Sequence, residues 1–198
     1  MVTKAERTSE YIIETVAPIF NKHGYAATSL SDLTKATGLT KGALYGNFKN
    51  KEELALEAFN HTVRRLMFGI KESMSKVESP LMKLYSMCDW YTDYYHFTSD
   101  VGGCPVLNLA IDSNNNDELL FNRAKEVVGK LKKSIADLVK EGIEKGEIRE
   151  GVDPERVGGR IYSMIQGSIF MSGVLKDNAP VVDMMEHIRQ MIKTELET

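Results

Sequence analysis

Residues 28–51 read TSLSDLTKATGLTKGALYGNFKNK. The stretch holds two short helical patterns joined by a turn of a few residues with a glycine, Gly38. That is helix-turn-helix spacing. Thr28 and Ser29 both suit an N-cap, and Asp32 stands three residues after Ser29, a weaker form of the capping box. The spacing predicts a helix over about 30–37, with Leu30, Leu33 and Ala36 turned inward. Thr40 caps a further helix over about 41–47, and Leu39 and Leu44 fix the angle between the two. The outer side of that second helix carries Thr40, Lys41, Gly42, Ala43 and Asn47. These are small or hydrogen-bonding residues, as a helix needs if it is to enter a major groove. Tyr45 and Phe48 are open to a second reading as ordinary core aromatics.

Upstream, Ile12, Val16, Ile19 and Phe20 recur at three- and four-residue steps and predict a helix over about 4–23, stopped by Gly24. Pro18 lies inside it, at a typical cost of ~3 kcal/mol, so a local bend is expected. Downstream, Asn50 with Glu53 opens a long helix over about 51–76. Pro80 starts another, to about Phe97. A Gly-Gly turn at 102–103 precedes a short helix from Pro105 to Ile111. Asn115 and Glu118 are read as a capping box for a helix over about 117–146, whose stripe is Leu120, Ala124, Val127, Leu131, Ile135 and Leu138. Asp153 before Pro154 opens a helix over about 154–174, and the last runs from Pro180 to about Glu195. The expectation is an all-α, nine-helix, two-domain chain. Residues 1–52 form the helix-turn-helix domain, helix 51–76 is the link, and 77–198 form a second domain for sensing and dimerisation.

Composition limits the function. The 198 residues are 42% hydrophobic and 27% charged, with a net charge of -3 and a pI of about 5.9. A packed core follows, and a generic polyanion binder does not. Up to Lys51, however, seven basic residues face four acidic ones, so the head carries +3 and the remainder -6. A basic head on an acidic body suits a DNA-binding module beside a separate sensor. The two cysteines, Cys88 and Cys104, have no metal or redox spacing and read as reduced thiols. No stretch approaches the ~20 apolar residues of a membrane span. A soluble, cytoplasmic protein with no membrane partner is expected.

The order and spacing of Gly24-Tyr25, Thr28, Leu33, Ala36, Gly38, Lys41-Gly42, Leu44-Tyr45, Phe48 and Lys51-Glu52-Glu53-Leu54 resemble the TetR/AcrR family of transcriptional regulators. The resemblance covers about the first 60 residues. It implies that Thr28, with Ser29 beside it, meets a phosphate at the start of the second helix. Thr40, Lys41, Gly42 and Ala43 would approach base edges, and Tyr45 would hold a phosphate through its hydroxyl. Lys51 would add its charge to a helix N-terminus against another phosphate. Gly46 and Asn47 depart from the family pattern, which has an aromatic and often a histidine there. Gly46 is expected to weaken the short helix and remove a backbone contact. Asn47 could still donate to a phosphate or read adenine.

The second domain carries two further expectations. Met87, Trp90, Tyr91, Tyr94, Cys104, Leu107, Phe121, Tyr162, Gln166 and Phe170 are candidates for a ligand pocket between helices, with Tyr95 and Phe97 among the same aromatics. Aromatics at helical spacing also fill ordinary cores. Gly159, Met164, Gly167, Met171, Met185, Ile188 and Met191 are candidates for a dimer interface. Glycines let helices approach closely, and methionines fill irregular gaps. No metal site, cofactor or catalytic set is expected, because His23, His61, His96 and His187 are scattered. The reading is a DNA-binding regulator, a homodimeric repressor released from a near-palindromic operator by a small ligand. The alternatives are a helical enzyme or thiol-based sensor using Cys104, and a helical interaction protein.

Overall fold

Ile12, Val16 and Phe20 recur every four residues, and all three are buried on one face of α1 (Lys4–His23), which runs unbroken through Pro18. The computed structural model describes residues 4–99 and 101–198. After α1 come α2 (Leu30–Thr37), α3 (Lys41–Tyr45), α4 (Lys51–Met74), α5 (Pro80–Thr92) and α6 (Tyr94–Ser99). Then follow α7 (Pro105–Ser113), α8 (Glu118–Glu144), α9 (Pro154–Leu175) and α10 (Ala179–Met191), with a closing π-turn at Ile192–Leu196. The all-α, nine-helix plan holds with one change. The helix expected over 80–97 is broken at Asp93, whose N–H turns back to the Tyr91 carbonyl. Just past the break, the Tyr94 ring lies 5.1 Å from that of Trp90 and 5.5 Å from that of Tyr91. None of the described helices is long and apolar enough to cross a membrane.

The caps explain where the helices start. Ser29 and Asp32 form a complete box: the Asp32 N–H donates to the Ser29 hydroxyl, and the Asp32 carboxylate accepts the Ser29 N–H. Thr40 accepts the Ala43 N–H at 3.2 Å and opens α3. Asn50 accepts the Glu53 N–H at 2.8 Å, while Glu53 reaches back to the N–H of Lys49. The box expected from Asn115 and Glu118 is not formed. Asp117 caps α8 instead, accepting the Leu120 N–H at 3.0 Å.

Two compact units are present, and neither is contiguous: Met1–Leu66 with Val101–Lys125, and Met67–Asp100 with Glu126–Thr198. The expected division at residues 52 and 77 lacks this crossing of the chain. Its physical cause in the first unit is plain. The core around Ile12, Val16, Leu33, Leu44 and Phe48 also contains Leu120, which is fully buried. In the second unit, α10 packs its stripe of Val181, Met185, Ile188 and Met191 inward, against α9 and α5. Here α8 and α9 approach so closely that a Cβ on Gly158 would lie 2.7 Å from the Lys132 carbonyl. The C-terminus is tied down by the Arg149 N–H, which donates to the Leu196 carbonyl at 2.8 Å, and by the Tyr85 hydroxyl, which donates to Glu197 at 3.1 Å.

Candidate nucleic-acid interface

Leu44 in α3 and Phe48 just beyond it are 1% and 7% exposed and face the core. That leaves Thr40, Lys41, Gly42 and Tyr45 on the outer side, with Ala43 half-buried. Tyr45 is 40% exposed, so its ring does not serve as core. The Lys41 ammonium lies 5.8 Å from the centre of the Tyr45 ring, which keeps the two side chains on one patch. Polar and small groups thus line one outward strip of a capped helix, with no bulky aliphatic among them.

Several expected contacts turn out otherwise. Thr28 is 2% exposed, and its hydroxyl donates to the Gly24 carbonyl at 2.6 Å. That hydroxyl is therefore not offered to a phosphate. Ser29 is exposed, but its hydroxyl donates to Asp32 at 2.6 Å. The bond holds the Asp32 carboxyl below the usual carboxylate range. Asn47 donates to the Ala43 carbonyl at 2.8 Å, and its amide oxygen accepts the Ser9 hydroxyl at 3.0 Å. Bidentate reading of adenine needs both ends of the amide, so Asn47 does not read adenine in this arrangement. It joins α3 to α1 instead. Gly46 keeps helical angles (φ −74°, ψ −20°) and donates to the Gly42 carbonyl at 2.9 Å, so the short helix closes normally there, with no side chain at this position to reach a DNA phosphate. Ala36 is exposed, and Thr37 takes the inward place, donating to the Leu33 carbonyl at 2.8 Å.

Lys51 is the largest departure. Its ammonium donates to the Thr28 carbonyl at 2.6 Å and stands 4.5 Å over the Tyr25 ring. Partial burial pushes its pKa below the ordinary lysine value, with nearby Asp112 acting the other way. It clamps the α1–α2 turn to the start of α4. Sequence reasoning also missed Ser9, Tyr11 and Asp112. The Tyr11 hydroxyl donates to the Thr37 carbonyl at 3.0 Å, and Asp112 accepts the Tyr25 N–H at 2.7 Å. Nothing local marks these residues, because each partner is far away in the chain.

Comparison with known proteins agrees with this geometry. Residues 12–58 match the family described as bacterial regulatory proteins, tetR family, and residues 80–188 match the tetracyclin repressor-like C-terminal domain. The chain belongs to the TetR family. It is 30% identical to the HTH-type transcriptional regulator YxaF of Bacillus subtilis, over 97% of this chain and 98% of that protein. It is 26% identical to the regulator LmrA of the same organism, over 93% and 96%. The solved structure of a TetR transcriptional regulator from Chloroflexus aurantiacus is 31% identical, with a TM-score of 0.93 over 98% of each chain. This TetR-family chain is therefore a helix-turn-helix transcriptional regulator, and repressors of the family bind operators and small ligands and act as dimers.

The candidates outside the head divide between the units of this TetR-family fold. Met87, Tyr91, Tyr94 and Tyr162 are buried in the second unit, and Trp90 and Gln166 are half-buried there. Cys104, Leu107 and Phe121 belong to the first unit. The side chain of Phe97 lies outside the described residues. Phe170 is 50% exposed, so it is a surface residue rather than a buried pocket wall. A cavity of about 30 Å³ beside Phe20, Asn21, Tyr25 and Asn108 is far below the ~300–1,000 Å³ of a ligand pocket. Among the described residues no three of His, Cys, Asp or Glu gather as a metal site. Cys104 is 3% exposed at the N-cap of α7. Burial pushes the Cys88 thiol up to about 12, so it stays protonated at neutral pH.

The dimer candidates also sort in two. Met185, Ile188 and Met191 are 1%, 0% and 6% exposed within one chain, so they are subunit core and not interface. Gly159 and Met164 are half-buried. Gly167 and Met171 are exposed on α9, and there they join Phe170 and Val174. Those four fall at i, i+3, i+4 and i+7, which is one helical face.

Proposed function

We propose that this TetR-family regulator binds a near-palindromic operator as a homodimer, with α3 of each subunit in a major groove. The observation that carries the reading is the outward strip of α3, where Lys41, Gly42 and Tyr45 are exposed while Leu44 and Phe48 hold the helix to the core. Thr40, Lys41, Gly42 and Ala43 approach base edges, and Tyr45 reaches a phosphate. The exposed α9 face of Gly167, Phe170, Met171 and Val174 meets its copy across a two-fold axis. Binding to a near-palindrome requires the two α3 helices to stand about one DNA turn apart, roughly 34–36 Å.

A small ligand then acts on the second unit, at the cluster of Trp90, Tyr91 and Tyr94 with Tyr162 nearby in the same unit. It releases DNA only if it binds the DNA-incompetent state more tightly, since equal affinity shifts no equilibrium. The test is selection of duplexes from a random pool, followed by footprinting and affinity measured against salt. Binding that falls steeply with salt is expected. Lys41→Ala should change which sequences are selected. A protein that selects no duplex, or a Lys41→Ala variant with the parent's affinity and preference, would sink the assignment of α3.

A further inference from the structure

The turn between α1 and α2 is gripped from two sides. Gly24 has a left-handed φ of +83°, which lets the amides of Tyr25 and Ala26 converge on one point, as in an anion-binding nest. A carboxylate of this chain occupies that point. Asp112, on α7, accepts the Tyr25 N–H at 2.7 Å and the Ala26 N–H at 3.3 Å on the same oxygen. A Cβ on Gly24 would lie 2.8 Å from its other oxygen, so a side chain at residue 24 would crowd the carboxylate. At the far end of the turn, the Gly24 carbonyl accepts the Thr28 hydroxyl at 2.6 Å, and the Thr28 carbonyl accepts the Lys51 ammonium at 2.6 Å. The next residue, Ser29, caps α2. A continuous line of hydrogen bonds and backbone therefore leads from Asp112 to the first turn of the helix-turn-helix.

α7 is tied to the same end of α1 by amide side chains. Asn21 donates to the carbonyls of Val101 and Gly103 at 2.7 and 2.9 Å. Asn108 donates to the carbonyls of Asn21 and Gly102 at 3.0 and 2.8 Å. The apolar core of the unit is built from other residues, among them Ile12, Val16, Leu33 and Leu44. The core holds the fold, and the polar latch sets where the α1–α2 turn lies upon it.

We propose that Asp112 is a positioning residue for DNA binding, one that acts through the α1–α2 turn and seats α2 and α3 from α7. The inference rests on the reading of α3 as the DNA-contacting helix. A displacement of α7 would reach the α2 cap without passing through α4.

The test uses the full-length protein and a duplex selected by the parent. Asp112→Ala removes the carboxylate. Asp112→Asn keeps its shape and one acceptor oxygen but not its charge. Affinity, salt slope, melting temperature and amide exchange are read for each. Asp112→Ala should weaken operator binding about tenfold or more, and Asp112→Asn should weaken it less. Both should keep the parent's salt slope, because no phosphate contact is lost. Melting should fall by only about 2–4 °C, and faster exchange should be confined to residues 24–28. Parent-like affinity in Asp112→Ala overturns the proposal. So does a loss matched by a larger fall in melting temperature and faster exchange throughout the unit. If Asp112→Ala does not fold, parent-like binding by Asp112→Asn overturns it alone. Lys41→Ala in the same assay probes the underlying reading: parent-like binding there removes α3 as the contact helix, whatever the Asp112 variants do.

Discussion

Lys51 illustrates how one residue changes meaning between sequence and structure. A lysine at a helix start beside a helix-turn-helix reads as a phosphate contact. In the fold its ammonium is engaged by the Thr28 carbonyl and the Tyr25 ring. A charge-assisted hydrogen bond and a cation–π contact are lost together in Lys51→Ala. The variant should therefore lose about 1–2 kcal/mol of stability, read as a lower urea midpoint with an unchanged slope. An unchanged midpoint would show that the clamp carries no stability. Thr28 and Asn47 belong to the same lesson. Their polar atoms have partners inside the protein, and a type-and-spacing argument does not see a partner 38 residues away such as Ser9.

At the scale of elements, starts were more legible than ends. Ser29, Thr40, Asn50 and Asp153 cap the helices that the spacing assigns to them. An N-cap is a local device, made by a side chain and an amide two or three residues on. Ends depend more on packing. The helix expected to run on to Phe97 ends at Thr92 and a second begins at Tyr94, a break that no local signal announces. α9 ends on Lys176 in the left-handed region, φ 57°, the only such non-glycine among the described residues. A lysine pays a steric cost there that a glycine does not. Lys176→Gly should raise stability by up to about 1 kcal/mol in thermal unfolding. A destabilised variant would mean that the Lys176 side chain has a role of its own.

At the scale of the molecule, the two apolar faces of the last helices have different work. The α10 stripe of Met185, Ile188 and Met191 is internal, whereas α9 presents Phe170, Met171 and Val174 at 50%, 46% and 60% exposure. The proposed dimer would cover this exposed apolar face. Substitutions on the two faces should therefore fail differently. Val174→Glu should give folded monomers in sedimentation, with a near-parental circular dichroism spectrum. Ile188→Ala should lower subunit stability by about 2–5 kcal/mol, because it opens a cavity in the core. A dimeric Val174→Glu variant would move the interface off this face.

The sequence by itself determined the helix-turn-helix, the all-helical class and the family. The first two rest on short-range physics, caps and helical apolar periodicity, and the third on a resemblance carried by residues between Gly24 and Leu54, with Gly46 and Asn47 departing from the pattern. It also assigned Leu44 inward and Lys41 outward, because one turn of helix decides both. Only the tertiary structure decided which polar groups around that motif already have partners, and which apolar stripe is core. Both stripes of the final helices are apolar, and periodicity cannot tell burial within a chain from burial between chains. Asp112, Asn108 and Leu120 reach the head from beyond α6 because the chain returns there after building part of the second unit. That return is set by how whole helices pack, a property that no local window of sequence contains.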